Sequence, residues 1–322
     1  MMVGLAIGDS LGKPTESMLP KKRLSRFGQI TEYMPSRYAN GHPIGVPSDD
    51  TQLAFWTLEQ MIEDGGFNPS HVAQRFCRDR IFGIGSAVSR FVNNFEGGIP
   101  WYEAGPRSAG NGALMRIAPM LIPHLKAPSW DLYVDTALSA MITHNDSSSI
   151  ASCVAFVRML WELLGMDRPP EPHWWIETFV EVARDLEINL NYRPRGGIYK
   201  DTFEGPLWRF VQEKVSEAFH RHLSALDACG QWYSGAYLLE TVPSVIYILM
   251  KHGDNLEEAI VRAVNDTKDN DTIGAIVGAA IGALYGKSRI PSRWIENLSG
   301  RTSVSDDGRI FEELEQARTL WG

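Results

Sequence analysis

The sequence predicts an all-α protein forming a single compact domain over residues 1–322, and three observations carry that prediction. Apolar residues recur at helical spacing through most of the chain. No segment shows the period-two alternation of a half-buried strand series. The Gly- and Pro-marked breaks at 34–47, 96–111, 166–172, 191–206 and 287–308 lack the low complexity of an interdomain linker.

In chain order, helices are predicted over 49–64, 69–95, 112–124, 129–142, 147–165, 173–187, 207–226, 233–251, 255–265, 272–286 and 309–320. An N-terminal helix carries Gly4, Gly8 and Gly12, and the 272–286 helix carries Gly274, Gly278, Gly282 and Gly286. Each glycine inside a helix costs about 1 kcal/mol relative to alanine, so two stripes at a spacing of four residues need a packing reason. Both stripes occupy one helical face, where missing side chains let two backbones approach closely. The two helices are therefore expected to pack together, joining the ends of the chain and bringing Glu16 towards residues 269–272.

Composition narrows the class. With 44% hydrophobic and 22% charged residues the chain is ordinarily globular, and a net charge of −8 argues against bulk binding to nucleic acid or anionic membrane. The run Lys21, Lys22, Arg23 is expected to be a solvated loop. Cys77, Cys153 and Cys229 are odd in number and show no CxxC spacing, which favours a reducing cytoplasm over a disulfide framework or zinc site. The run 273–286 is too short to cross a bilayer comfortably and reads as a buried core helix.

The chemistry is concentrated at two helix starts. Asp269, Asp271 and Thr272 offer two carboxylates and a hydroxyl immediately before an apolar helix, a hard-oxygen set suited to Mg²⁺, Mn²⁺ or Ca²⁺. An EF-hand is excluded, because no glycine occupies the turn position. Ser48, Asp49, Asp50 and Thr51 repeat the design before 49–64, although serine followed by acids is also ordinary helix capping. Ser305, Asp306 and Asp307 provide an internal control, the same SDD motif with no reason to be a site. Convergence of Glu16, Asp49, Asp50, Asp269 and Asp271 would be unfavourable without cations, and two divalent ions would neutralise it. Metal-assisted hydrolysis is the reaction class this predicts.

Five motifs in order resemble the ADP-ribosylglycohydrolase family: GLAIGDSLGKPTE (4–16), VPSDDT (46–51), SAGNGALMRIAP (108–119), THND (143–146) and DNDTIGAIVGAAIGALYG (269–286). The resemblance covers most of the chain. It implies an all-α fold with two divalent cations, Mg²⁺ or Mn²⁺, at the base of an ADP-ribose cleft. By motif, Ser48, Asp49, Asp50, Asp269, Asp271 and Thr272 would bind metal, and Glu16 and Asp50 would manage the proton of the attacking water. Ser108, Gly110, Asn111, Gly112, Ala113, Met115 and Arg116 would embrace ribose and diphosphate, and His144 would contact the same ligand.

Three departures from the family pattern stand out. Met1 lies three residues before Gly4, so the first helix is shorter than usual; Lys268 and Asp269 replace the common Gly-Asp; and GPRSAGNGA has no acidic side chain before the loop. The expected activity is hydrolysis of the bond between ADP-ribose and a protein arginine. Hydrolysis of an O-linked conjugate such as ADP-ribosylserine or O-acetyl-ADP-ribose is the alternative in the same class, and a non-catalytic ADP-ribose-binding protein the alternative outside it.

Overall fold

A computed structural model of the chain describes residues 1–126 and 129–322. Helices account for its regular structure, and among the described residues extended pairing is limited to isolated bridges such as Gly45 with Leu298 and Gly110 with Tyr237. The helix Asp49–Asp64 has the predicted bounds, capped by Ser48 and closed by Gly65 in the left-handed region. Trp130–Thr143, Ser147–Leu164, Pro172–Leu186, Leu256–Asp266, Asn270–Tyr285 and Arg309–Trp321 lie within two residues of expectation.

Elsewhere local chemistry overrides periodicity. The stretch expected as one helix over 69–95 is two, Pro69–Arg78 and Ser86–Glu96, parted by a turn in which Gly83 has φ +70°. The 112–124 segment is two 3₁₀ pieces, Leu114–Arg116 and Ala118–His124. Pro119 and Pro123 lack the N–H donors a continuous α-ladder requires there. The 207–226 segment passes through a π-turn at Val211–Val215 and stops at His220, and the helix expected from 233 begins at Leu238.

Pro20–Phe27 is an unexpected helix, and it corrects the reading of the basic run. Lys21 and Lys22 are exposed, but Arg23 is fully buried. Its guanidinium donates to the carbonyls of Asn265 and Thr267, to Met18 and Thr15 carbonyls, and to Thr15 Oγ1. Arg23 is thus a clasp between the end of the first helix and the loop before Asn270, not a solvated charge.

The glycine stripes meet as expected. The helices Met2–Gly12 and Asn270–Tyr285 are packed so closely that a methyl on Gly4 would collide with the Gly278 carbonyl, and one on Gly8 with the Gly274 carbonyl. At the site end of the pair, a Cβ on Gly12 would lie 2.5 Å from Asn270 O and from Asp271 N and Cα. Asn270 locks this end, its side-chain amide donating within 3.1 Å of Gly12 O, Thr15 Oγ1 and Val264 O. Around the pair a continuous core runs from Met2 to Ala317. The Ser147–Leu164 helix is long and apolar enough to cross a membrane, but most of it is buried inside this core.

Candidate metal centre

Closure of the glycine pair puts the two acidic helix starts side by side at the base of a cleft of about 370 Å³. Glu16, Asp49, Asp50, Asp269, Asp271 and Thr272 all line it. Carboxylate oxygens of Glu16, Asp269 and Asp271 lie within 4.8 Å of one another, as do those of Asp9, Asp50 and Asp271, so Asp271 is shared. Asp49 lies on the wall beside Gly83, outside both groups.

Asp9 is the carboxylate that sequence reasoning missed. It is fully buried in the first helix. Its Oδ2 accepts from Ser48 N at 2.9 Å, Thr51 N at 3.2 Å and Thr51 Oγ1 at 2.6 Å, while Oδ1 accepts from Ser48 Oγ at 2.7 Å. With so many lone pairs engaged, Asp9 is better suited to orienting the start of the Asp49–Asp64 helix than to holding an ion. The legible signal was a carboxylate inside an otherwise apolar, glycine-striped helix. Ser48 is buried behind the cleft wall, and its oxygen is also 3.0 Å from Asp50 Oδ2. A hydroxyl has one proton to give, and the shorter contact to Asp9 takes it.

Several observations fit a hard divalent cation. The donors are all oxygens. Asp50 Oδ1 is buried without a hydrogen-bond partner, which a buried carboxylate oxygen does not tolerate cheaply. Burial also pushes the carboxyl groups up: Asp49 to about 7, against the opposing pull of Lys13, and Asp269 to about 6, against a hydrogen bond from Asn111. Asp50 and Asp271 are held well above the carboxylate range, first by burial and then by neighbouring carboxylates. The SDD control behaves oppositely. Burial is opposed at Asp306 by hydrogen bonds from Ser303 and Thr302 that outweigh it, and its carboxyl is lowered.

The glycine-rich loop forms another wall. Ser108, Gly110, Asn111, Gly112, Met115 and His144 line the cleft. Ala113 and Arg116, expected among them, are fully buried and do not line it. Arg116 instead donates to Ser139 Oγ, Ser139 O and Thr143 Oγ1 and lies over the Phe76 ring, because a 3₁₀ turn directs it into the core. Thr143 Oγ1 is in turn 3.0 Å from His144 Nδ1, which leaves Nε2 on the side of Gly110 and Gly112. Burial, with Arg116 and Arg90 nearby, pushes the imidazole down to about 3, so His144 is neutral.

The loop also reaches the metal end of the cleft. Asn111 Nδ2 donates to Asp269 Oδ2 at 2.6 Å and to Thr241 Oγ1 at 3.0 Å, tying the loop to the acidic cluster. Three further wall residues, Arg90, Arg195 and Tyr237, carried no local sequence signal. The Arg195 guanidinium lies 4.5 Å from the Tyr237 ring centroid, and Tyr237 bridges to Gly110 across the backbone. These groups add cationic and aromatic side chains to the lining of the cleft.

The whole chain has relatives. The chain is 25% identical to the ADP-ribosyl-[dinitrogen reductase] glycohydrolase of Rhodospirillum rubrum, covering 92% of this chain and 88% of that protein. It is 27% identical to the ADP-ribosylarginine hydrolase Tri1 of Pseudomonas putida, covering 97% and 76% respectively. The ADP-ribosylhydrolase ARH3 of Xenopus tropicalis is 24% identical, with 83% and 81% covered. A solved structure titled ADP-ribosylglycohydrolase-related protein complex superposes with a TM-score of 0.71 at 25% identity, covering 99% of this chain and 95% of that one. The family profile described as ADP-ribosylglycohydrolase matches residues 1–321, and with it the carboxylate-floored cleft and the glycine-paired helices find their place: the chain belongs to the ADP-ribosylglycohydrolase family.

Proposed function

We propose that the protein is a divalent-metal-dependent hydrolase that cleaves the bond between the anomeric carbon of ADP-ribose and an arginine side chain of an acceptor protein. The observation that carries this reading is the pair of oxygen groups sharing Asp271 at the base of a cleft that the glycine loop also lines. Asp50, Asp269, Asp271, Thr272 and Glu16 would hold two cations, Mg²⁺ or Mn²⁺, with Asp49 alongside. When bound, such ions supply Lewis-acid polarisation and a more acidic water.

The chain's own groups divide the remaining work. Gly110 and Gly112 leave room for ribose and diphosphate, with neutral His144 behind them as a hydrogen-bonding group. Arg90 and Arg195 supply positive charge on the wall where a diphosphate would lie. Glu16, the most exposed of the convergent carboxylates, would accept the proton of the attacking water. Water oxygen bonds to the anomeric carbon, the carbon–nitrogen bond breaks, and the proton ends on the departing guanidine. The relative from Pseudomonas is named for arginine conjugates, which supports an arginine acceptor.

A panel of arginine-, serine- and acetyl-linked ADP-ribose substrates, each assayed with Mg²⁺, Mn²⁺ and chelator, tests the proposal. Metal-dependent release from the arginine conjugate is expected. Turnover of only the O-linked substrates would replace the acceptor, and binding of ADP-ribose with no turnover of any would replace the enzyme by a binding protein.

A further inference from the structure

Lys13 stands in the acidic cluster itself. Its Nζ is 2.6 Å from Glu16 Oε2 and 3.3 Å from Asp271 Oδ2, two of the three carboxylates of the outer oxygen group. Among the described residues no other lysine or arginine pairs with any of Asp9, Asp49, Asp50, Asp269 or Asp271. The inner group of Asp9, Asp50 and Asp271 meets Lys13 only through the shared Asp271. Lys13 follows Gly12, whose packing against Asn270 and Asp271 fixes where its side chain can start. A Cβ on Gly83 would sit 3.1 Å from Nζ, so this glycine leaves the ammonium its space.

We infer that Lys13 is a built-in counter-cation of the outer half of the centre, which a divalent ion must displace from Asp271 to bind there. The assignment rests on the metal-centre reading above. Two consequences follow from charge alone. The two metal positions are inequivalent, because the ammonium competes for two of the three outer carboxylates and for only the shared Asp271 of the inner group. The metal-free protein, in turn, is protected from carboxylate repulsion by the same side chain.

The test is calorimetric titration of Mn²⁺ into wild type, Lys13→Met and Lys13→Arg, with thermal unfolding of each in chelator. Methionine keeps the length of the stem and removes the charge. Lys13→Met is expected to bind the outer ion about tenfold or more tighter, as removal of one competing ion pair in a half-buried site implies. It should also melt lower without metal and gain more on Mn²⁺ addition, while Lys13→Arg should bind the outer ion no more tightly than wild type. Equal or weaker outer-ion affinity in a folded Lys13→Met protein would overturn this assignment alone. Absence of Mn²⁺ uptake by both wild type and Lys13→Met would overturn the metal centre and this assignment together.

Discussion

Gly12→Ala couples helix packing to the centre through a single methyl. The added Cβ would lie 2.5 Å from Asn270 O and from Asp271 N and Cα, all backbone atoms that have no rotamer to change. Ordinary carbon contacts need about 3.5–4.0 Å, so the helix ends must part by roughly 1 Å. Overpacking of this kind costs about 1–3 kcal/mol, and the rigidity of both partners places it at the upper end. Alanine returns about 1 kcal/mol in helix propensity, leaving a net loss near 2 kcal/mol. Because two of the three displaced atoms belong to Asp271, Mn²⁺ affinity should also fall about tenfold, equivalent to roughly 1.4 kcal/mol. Gly230→Ala is the matched control, for Gly230 is helical and exposed and a Cβ there meets nothing within 4 Å. Denaturant unfolding in chelator and Mn²⁺ titration of both variants provide the assay. If Gly12→Ala is as stable as Gly230→Ala and binds Mn²⁺ like wild type, the close approach of the two helices does not position the centre.

Three further outcomes are expected. Asp271→Asn should abolish turnover yet raise the melting temperature in chelator, since it removes a buried carboxylate held well above its ordinary range by burial and by Asp269 and Glu16; normal turnover in metal-replete buffer would reduce the motif to a helix start. Gly112→Val should weaken ADP-ribose binding about tenfold while changing Mn²⁺ affinity far less, because its Cβ would lie 2.8 Å from His144 Cε1; titrations with each ligand would show it, and unchanged ADP-ribose affinity would refute the cradle. The raised Asp49 and Asp269 carboxyls bind more protons folded than unfolded, so metal-free stability should fall as pH rises from the ordinary value of 3.8 towards about 7. The stabilisation by Mn²⁺ should grow over the same range, where the ligands shed their protons, and melting curves that run parallel with and without metal would contradict this.

Helix bounds and both acidic starts were legible because capping, proline and glycine effects act within a few residues: Ser48 caps its helix, and Gly65 ends it. Even the long-range closure could be read, since glycines four apart on two apolar helices leave little to do except pack together. Boundaries failed where a local break outweighed periodicity, as at Gly83 and Pro119. Side-chain destination was a different matter. Arg116 lies in the expected loop yet points into the core, Asn111 reaches the carboxylates rather than only the cleft, and Arg23 is buried where a charged run suggested solvent. Asp9, Lys13, Arg195 and Tyr237 enter the site through neighbours more than thirty residues away in sequence. Periodicity and capping are properties of neighbouring residues, whereas the partner of a buried charge is whichever group the folded chain brings within reach, and only the tertiary structure selects it.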